Sequence, residues 1–191
     1  LDEIEDMTVD EGSPVTFTAH GVDSDVPAQD LTYALVSPPA GSVIDMNTGI
    51  FTWTPTEAQG PQTYTFTVKV SDGATSDEQV VTIHVNEVNI APVAIGQTLG
   101  DEVNTPLNIT LLATDADLPA NTLTYTVLGG PSHGVLSGTA PNLVYTPNTN
   151  YTGPDSFTFK ANDGLADSNI ETVNINVSGT TITLNLQLQG F

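Results

Sequence analysis

The chain has no cysteine, no arginine and only two lysines, Lys69 and Lys160, among 191 residues. Without cysteine there is no disulfide, no thiolate chemistry and no cysteine-based zinc site. With 23 acidic residues against those two lysines the formal charge is −21, and such a surface repels both nucleic acid and anionic lipid, which need clustered Lys/Arg. It attracts cations, and it strains a compact chain by self-repulsion unless counter-ions or salt offset the charge. No apolar run approaches the roughly 20 residues of a membrane-spanning helix. There is no initiator Met and no signal peptide, and the first residues already follow a domain pattern. The sequence therefore reads as an internal piece of a longer protein.

What is present repeats. Asp23-Ser24-Asp25-Val26-Pro27-Ala28 returns 92 residues later as Asp115-Ala116-Asp117-Leu118-Pro119-Ala120. At the same offset Leu31-Thr32-Tyr33 returns as Leu123-Thr124-Tyr125, and Trp53-Thr54-Pro55 as Tyr145-Thr146-Pro147. Val81, Ile83 and Val85 return as Val173, Ile175 and Val177. Two copies of one domain explain this, over residues 1–88 and 89–179, with an additional C-terminal strand at 180–191 that either starts a further domain or is donated to another subunit. Within each copy the apolar period is two: Tyr64, Phe66, Val68 and Val70 alternate with Thr65, Thr67 and Lys69. With 38% hydrophobic residues a buried core is feasible, and short β-branched strands between Pro/Gly/Asp turns predict an all-β chain. The expected architecture is two tandem Ig-like Greek-key β-sandwiches of about seven strands each.

In such a sandwich the B–C and F–G loops share one end, and the A–B and E–F loops share the other. Asp23, Asp25 and Asp72 should meet at the head of repeat 1, and Asp115, Asp117 and Asp163 at the head of repeat 2. Glu11, Glu57 and Glu87 should meet at the tail of repeat 1. Residues i and i+2 of an extended chain point to the same side, which suits Asp-x-Asp to chelation. Like charges brought this close call for a cation, and hard carboxylate and amide oxygens favour Ca2+ over Mg2+, which demands a tighter octahedron. One question stays open at the far end of repeat 2. At an offset of 92 the counterpart of Glu11 is Val103, and at 91 it is Glu102.

The segment Leu111-Leu112-Ala113-Thr114-Asp115-Ala116-Asp117, with Asn121 and Leu123-Thr124-Tyr125, resembles the calcium-binding segment of cadherin repeats. Glu87-Val88-Asn89-Ile90-Ala91-Pro92 is similar to a cadherin inter-repeat linker. Copy two, with Tyr145-Thr146-Pro147 and Gly153-Pro154-Asp155-Ser156-Phe157, resembles cadherin-like repeats of large bacterial surface proteins. Copy one, with Asn47-Thr48-Gly49-Ile50-Phe51-Thr52-Trp53-Thr54-Pro55, resembles the dystroglycan-type variant. The resemblance implies a cadherin-like fold and calcium ligands at the joint between the repeats: Glu11, Glu87, Asn89, Asp115, Asp117, Asn121 and Asp163. Ile90 stands where the family usually carries an acid, so fewer ions than in animal cadherins are expected.

Gly130-Pro131-Ser132-His133-Gly134 fits the spacing of a nucleophile elbow, but that elbow needs a strand–turn–helix context, and a short strand is expected here. His20, His84 and His133 have no metal-ligand spacing. Trp53 shares a strand face with Phe51 and reads as core. The sequons at Asn108, Asn150 and Asn176 are expected to carry nothing in a bacterial protein. The expectation is a calcium-stiffened spacer or adhesion module, extracellular, on a cell surface or secreted, and not an enzyme. Its partners would be calcium and neighbouring repeats of the same protein. Two alternatives remain: a carbohydrate-binding module of a polysaccharide-degrading enzyme, with Tyr151 the aromatic most readily placed outside, and a fibre protomer whose C-terminal strand is donated to an identical subunit.

Overall fold

The computed structural model describes residues 1–179, so the C-terminal segment 180–191 lies outside the described residues. The chain divides into two compact units, Leu1–Val88 and Asn89 onward. Each is a β-sandwich with its own core.

In the first unit the strands are β1 (Met7–Asp10), β2 (Val15–Thr18), β3 (Thr32–Val36), β4 (Val43–Ile44), β5 (Ile50–Trp53), β6 (Gln62–Ser71) and β7 (Ser76–Asn86). One sheet runs β1-β7-β6-β3 and the other β2-β5-β4, with β1 parallel to β7 and the other pairs antiparallel. A single 3-10 turn, Glu57–Gln59, precedes β6. The period-two pattern does what it must in a half-buried strand. Phe66, Val68 and Val70 are buried along β6, while Thr63 and Thr65 on the other face are exposed. Phe51 stacks on Phe66 at 5.3 Å and on Phe17 at 4.6 Å, and Trp53 meets Tyr64 edge-on at 4.9 Å. Trp53 is therefore core, as its strand position required.

The second unit carries β8 (Val93–Ile95), β9 (Gln97–Glu102), β10 (Leu107–Thr110), β11 (Leu112–Thr114), β12 (Thr124–Gly129), β13 (Gly134–Thr139), β14 (Asn142–Pro147), β15 (Gly153–Asn162) and β16 (Glu171–Ser178). That is nine strands rather than about seven, because the first two strands of the fold are each broken once. At Gly96 the chain leaves its antiparallel pairing with β11 and joins β16 in parallel, crossing from one sheet to the other. A Cβ at Gly96 would sit 2.6 Å from Glu171 Oε2 and 3.1 Å from the Thr172 carbonyl, so the crossing needs glycine. The larger sheets are β12-β15-β16-β9 and β10-β14-β13. Ile109, Leu111, Tyr145, Phe157, Phe159, Val173 and Ile175 form the buried core. Tyr33 and Tyr125 are only half-buried; the Tyr33 hydroxyl accepts the Gly21 N–H at 3.1 Å.

Candidate metal centres

At one end of the first unit the turn after β1, the 3-10 turn and the end of β7 bring Glu11, Glu57 and Glu87 together, with one carboxylate oxygen of each within 4.8 Å of the others. Glu11 is 7% exposed, which desolvates its charge. Its Oε1 accepts the Val88 N–H at 3.1 Å, and its Oε2 is buried with no hydrogen-bond partner. Both lysines are engaged elsewhere, Lys69 with Glu78 at 3.1 Å and Lys160 with Asp167, so neither neutralises this cluster. Glu57, which the family resemblance leaves out of the ligand set, is as much a member as the other two.

In the second unit the loop after β11 and the β15–β16 hairpin bring Asp115, Asp117 and Asp163 within the same 4.8 Å limit. Asp117 is 2% exposed; it accepts the Ile90 N–H at 2.8 Å and the Asn121 side-chain amide at 3.1 Å. Asn89 donates to Asp163 Oδ2 at 3.0 Å, so the linker residues are tied to this cluster. The N–H groups of Leu165 and Ala166 converge on Asp163 Oδ1 at 2.6 Å each. The Ala166 bond, with Asn89 and Leu165 behind it and against some desolvation, holds the Asp163 carboxyl below its ordinary value and keeps it an anion. Asn89 Oδ1 and Asp115 Oδ2 are buried without hydrogen-bond partners. The predicted residues Asn89, Asp115, Asp117, Asn121 and Asp163 are thus one constellation, and Glu11 and Glu87 belong with Glu57 in another.

The third predicted cluster, Asp23, Asp25 and Asp72 of the first unit, also converges, and its three acids themselves line a mostly polar cleft of about 280 Å³. It differs in kind. Asp25 is exposed where its counterpart Asp117 is buried, and the oxygens of Asp72 are taken by Ala74 and Thr75.

Strand register settles which residue of the second unit corresponds to Glu11. Glu11 N–H bonds the Asn86 carbonyl at 3.1 Å, and Val103 N–H bonds the Ser178 carbonyl at 2.9 Å. Asp10 pairs with Asn86 as Glu102 pairs with Ser178. The next residues, Gly12 (φ 72°) and Asn104 (φ 59°), both take the left-handed conformation that the turn imposes. Val103 is therefore the counterpart of Glu11, and Gly179 follows Ser178 where Glu87 follows Asn86. In place of a carboxylate cluster stands an amide pair: Asn104 Oδ1 accepts the Asn150 N–H at 2.8 Å, and Asn104 Nδ2 donates to Asn150 Oδ1 at 3.2 Å.

Ser132 is no nucleophile elbow: strand β13 follows it, and its N–H is spent on Asp155 at 2.8 Å. Tyr151, the outward aromatic expected from the sequence, is half-buried, stacked on His133 at 4.2 Å, with its hydroxyl on the Pro154 carbonyl at 2.6 Å. Sequence reasoning missed Asp155 and Asp101 altogether. Their signal was an acid at an inward step of the strand alternation, where β6 and β1 carry Tyr64 and Val9.

Residues 89–176 match the Bacterial Ig domain family and residues 1–86 the He_PIG Ig domain family. No curated protein matches the chain in sequence. Among solved structures, human mucin-like protocadherin EC1-2 is 20% identical with a TM-score of 0.56, over 92% of this chain and 96% of that one. Protocadherin Gamma B2 extracellular cadherin domains 1-5 is 20% identical with a TM-score of 0.60, over 92% of this chain and 38% of that one. An endo-fucoidan hydrolase of glycoside hydrolase family 107 is 26% identical with a TM-score of 0.40; this chain matches over 92% of its length but spans only 27% of the hydrolase. Repeated sequence, paired sandwiches, the two family matches and the protocadherin structures agree, and the chain is a tandem pair of Ig-like repeats with a cadherin-like fold.

Proposed function

We propose that the pair is a calcium-stiffened spacer or adhesion module of a larger extracellular protein, with no catalytic role of its own. The observation that carries this reading is the set of buried ligand-type oxygens without donors, Glu11 Oε2, Asn89 Oδ1 and Asp115 Oδ2, each inside or beside a triple-carboxylate cluster. Burying that much negative charge costs several kcal/mol per ion unless a cation compensates it. Ca2+ takes 6–8 hard oxygens, which carboxylates and an amide carbonyl can supply. Chain connectivity supports stiffening. Val88 is tied to Glu11 and the next residue, Asn89, to Asp163, so calcium on both clusters would bracket a single peptide bond. Absence of cysteine and the acidic surface accord with an extracellular setting. Among the described residues no helix is long and apolar enough to cross a membrane.

Extracellular calcium modules bind at about 10⁻⁴–10⁻³ M. At ~10 mM calcium, binding confined to the folded state then adds about 1.4–2.7 kcal/mol of stability. Calorimetry should show this as a rise of several degrees in unfolding temperature. Asp115→Ala should remove the rise in repeat 2 and Glu11→Ala that in repeat 1, with both repeats still folded in chelator. No heat of binding and no shift in millimolar calcium would refute the reading. The exposed head cluster at Asp23, Asp25 and Asp72 is expected to bind more weakly than either.

A further inference from the structure

The tail end of the second sandwich is built with a different chemistry from the first. In repeat 1 the inward positions are Val9, Trp53 and Tyr64, an apolar trio with the two rings in edge contact at 4.9 Å. Register places Asp101, Tyr145 and Asp155 in the same three positions of repeat 2: Asp101 pairs with Val177 as Val9 pairs with Val85, and Asp155 pairs with Ile175 as Tyr64 pairs with Ile83. Two carboxylates thus enter a core that needs none for folding.

They are not equivalent. Asp155 is saturated with donors: Ser132 N–H at 2.8 Å, His133 N–H at 2.9 Å, Ser156 N–H at 2.9 Å and the Tyr145 hydroxyl at 2.8 Å. Asp101, 8% exposed, has one oxygen on the Glu102 N–H at 2.8 Å, while its Oδ2 is buried with no partner. The titratable neighbours are Glu102 on its own strand and Tyr145 from β14, with Asp155 bonded to Tyr145 and the stacked pair Tyr151 and His133 beyond them. Its partner strand β16 brings Val177 and Ser178, which do not titrate, and among the described residues neither lysine joins these neighbours.

We propose that Asp101 is a proton-binding site in the core of repeat 2, which makes the folding of that repeat respond to mild acid. An ionised carboxylate with a buried, unpartnered oxygen is destabilised; a neutral acid in the same place is not. Desolvation accordingly raises the Asp101 carboxyl above its ordinary value of 3.8. A group raised on folding contributes stability that is complete below the unfolded value and is lost as pH climbs through the folded one. Asp155 has the opposite sign: desolvation pushes it up, but its donors prevail and hold it below 3.8, so its contribution is lost only in stronger acid. From these two groups repeat 2 is most stable near the ordinary carboxylate value and weaker at neutrality.

The test is a ¹³C-carboxyl NMR titration of the whole chain, with chelator present to remove calcium linkage, alongside calorimetry from pH 7.5 to 3.5. The Asp101 signal should inflect above 3.8. Asp101→Asn and Asp101→Val should raise the unfolding temperature of repeat 2 at pH 7, with a difference from the parent that closes as pH falls, and leave repeat 1 unchanged. General relief of charge repulsion is controlled by Glu102→Gln, which removes an exposed charge one residue away. An Asp101 inflection at or below 3.8, or a Glu102→Gln profile matching that of Asp101→Asn, would overturn the proposal. The NMR arm needs no variant to fold.

Discussion

A methyl group at Gly60 would lie 2.2 Å from Glu11 Oε2, closer than real contacts come, and a tight 3.2 Å from the Asn86 carbonyl. Gly60 is thus empty so that the Glu11 carboxylate can occupy its place in the cluster. Gly60→Ala should push that carboxylate aside and weaken calcium binding at repeat 1 by about 10–100-fold, the usual cost of disturbing what orients a metal ligand. Isothermal titration reads this directly, and an unchanged affinity would remove Glu11 from the ligand set. Asp163 offers a second residue-scale test. Its carboxyl is held below 3.8 chiefly by the Ala166 N–H, so its contribution is present above that value and lost as pH falls beneath it. Hydrogen exchange at Leu165 and Ala166 should stay slow at pH 5 in the parent and become fast in Asp163→Ala. Equal exchange in the two would show that the loop does not depend on this side chain.

Element by element, the strands answer to their alternation, but what breaks or fills them does not. The inward set Phe66, Val68, Phe157 and Phe159 was legible because period two leaves one face no choice. The switch at Gly96 was not, since a glycine in a strand pattern marks a bulge, a bend or a close approach without saying which. The acids of the loops were legible because sandwich topology assigns each loop to an end, whereas Val103 became the counterpart of Glu11 only through strand register. Asp155 escaped because its partners, the N–H groups of Ser132 and His133, belong to a turn whose sequence looked like something else. On β14, Tyr145 is fully buried with its hydroxyl on Asp155. Tyr145→Phe keeps the ring and removes that bond, at an expected cost of about 1–3 kcal/mol to repeat 2. Trp53→Ala at the matching position of β5 should cost repeat 1 about 3–5 kcal/mol, because a cavity opens as well. Urea denaturation should reproduce that order; a neutral Tyr145→Phe would mean the Asp155 carboxylate is satisfied without it.

For the molecule as a whole the governing quantity is a charge of −21 with only two lysines to oppose it. Screening shrinks from about 10 Å at 0.1 M salt to about 3 Å at 1 M, so the calcium-free chain should melt higher in concentrated sodium chloride. Saturating calcium should flatten that dependence by neutralising the clusters where repulsion is most concentrated. Thermal melts at two salt concentrations, with chelator and with calcium, separate specific sites from bulk screening; the same salt slope in both would argue for screening alone. The amide pair Asn104–Asn150 gives this response a direction. Repeat 2 meets the incoming chain with carboxylates that call for an ion, and at the end from which the chain departs it has an interlocked pair of amides that calls for none. If calcium fills the incoming cluster, that end of repeat 2 should respond to a chelator, whereas the amide pair at the other end, which supplies its own donors and acceptors, should not.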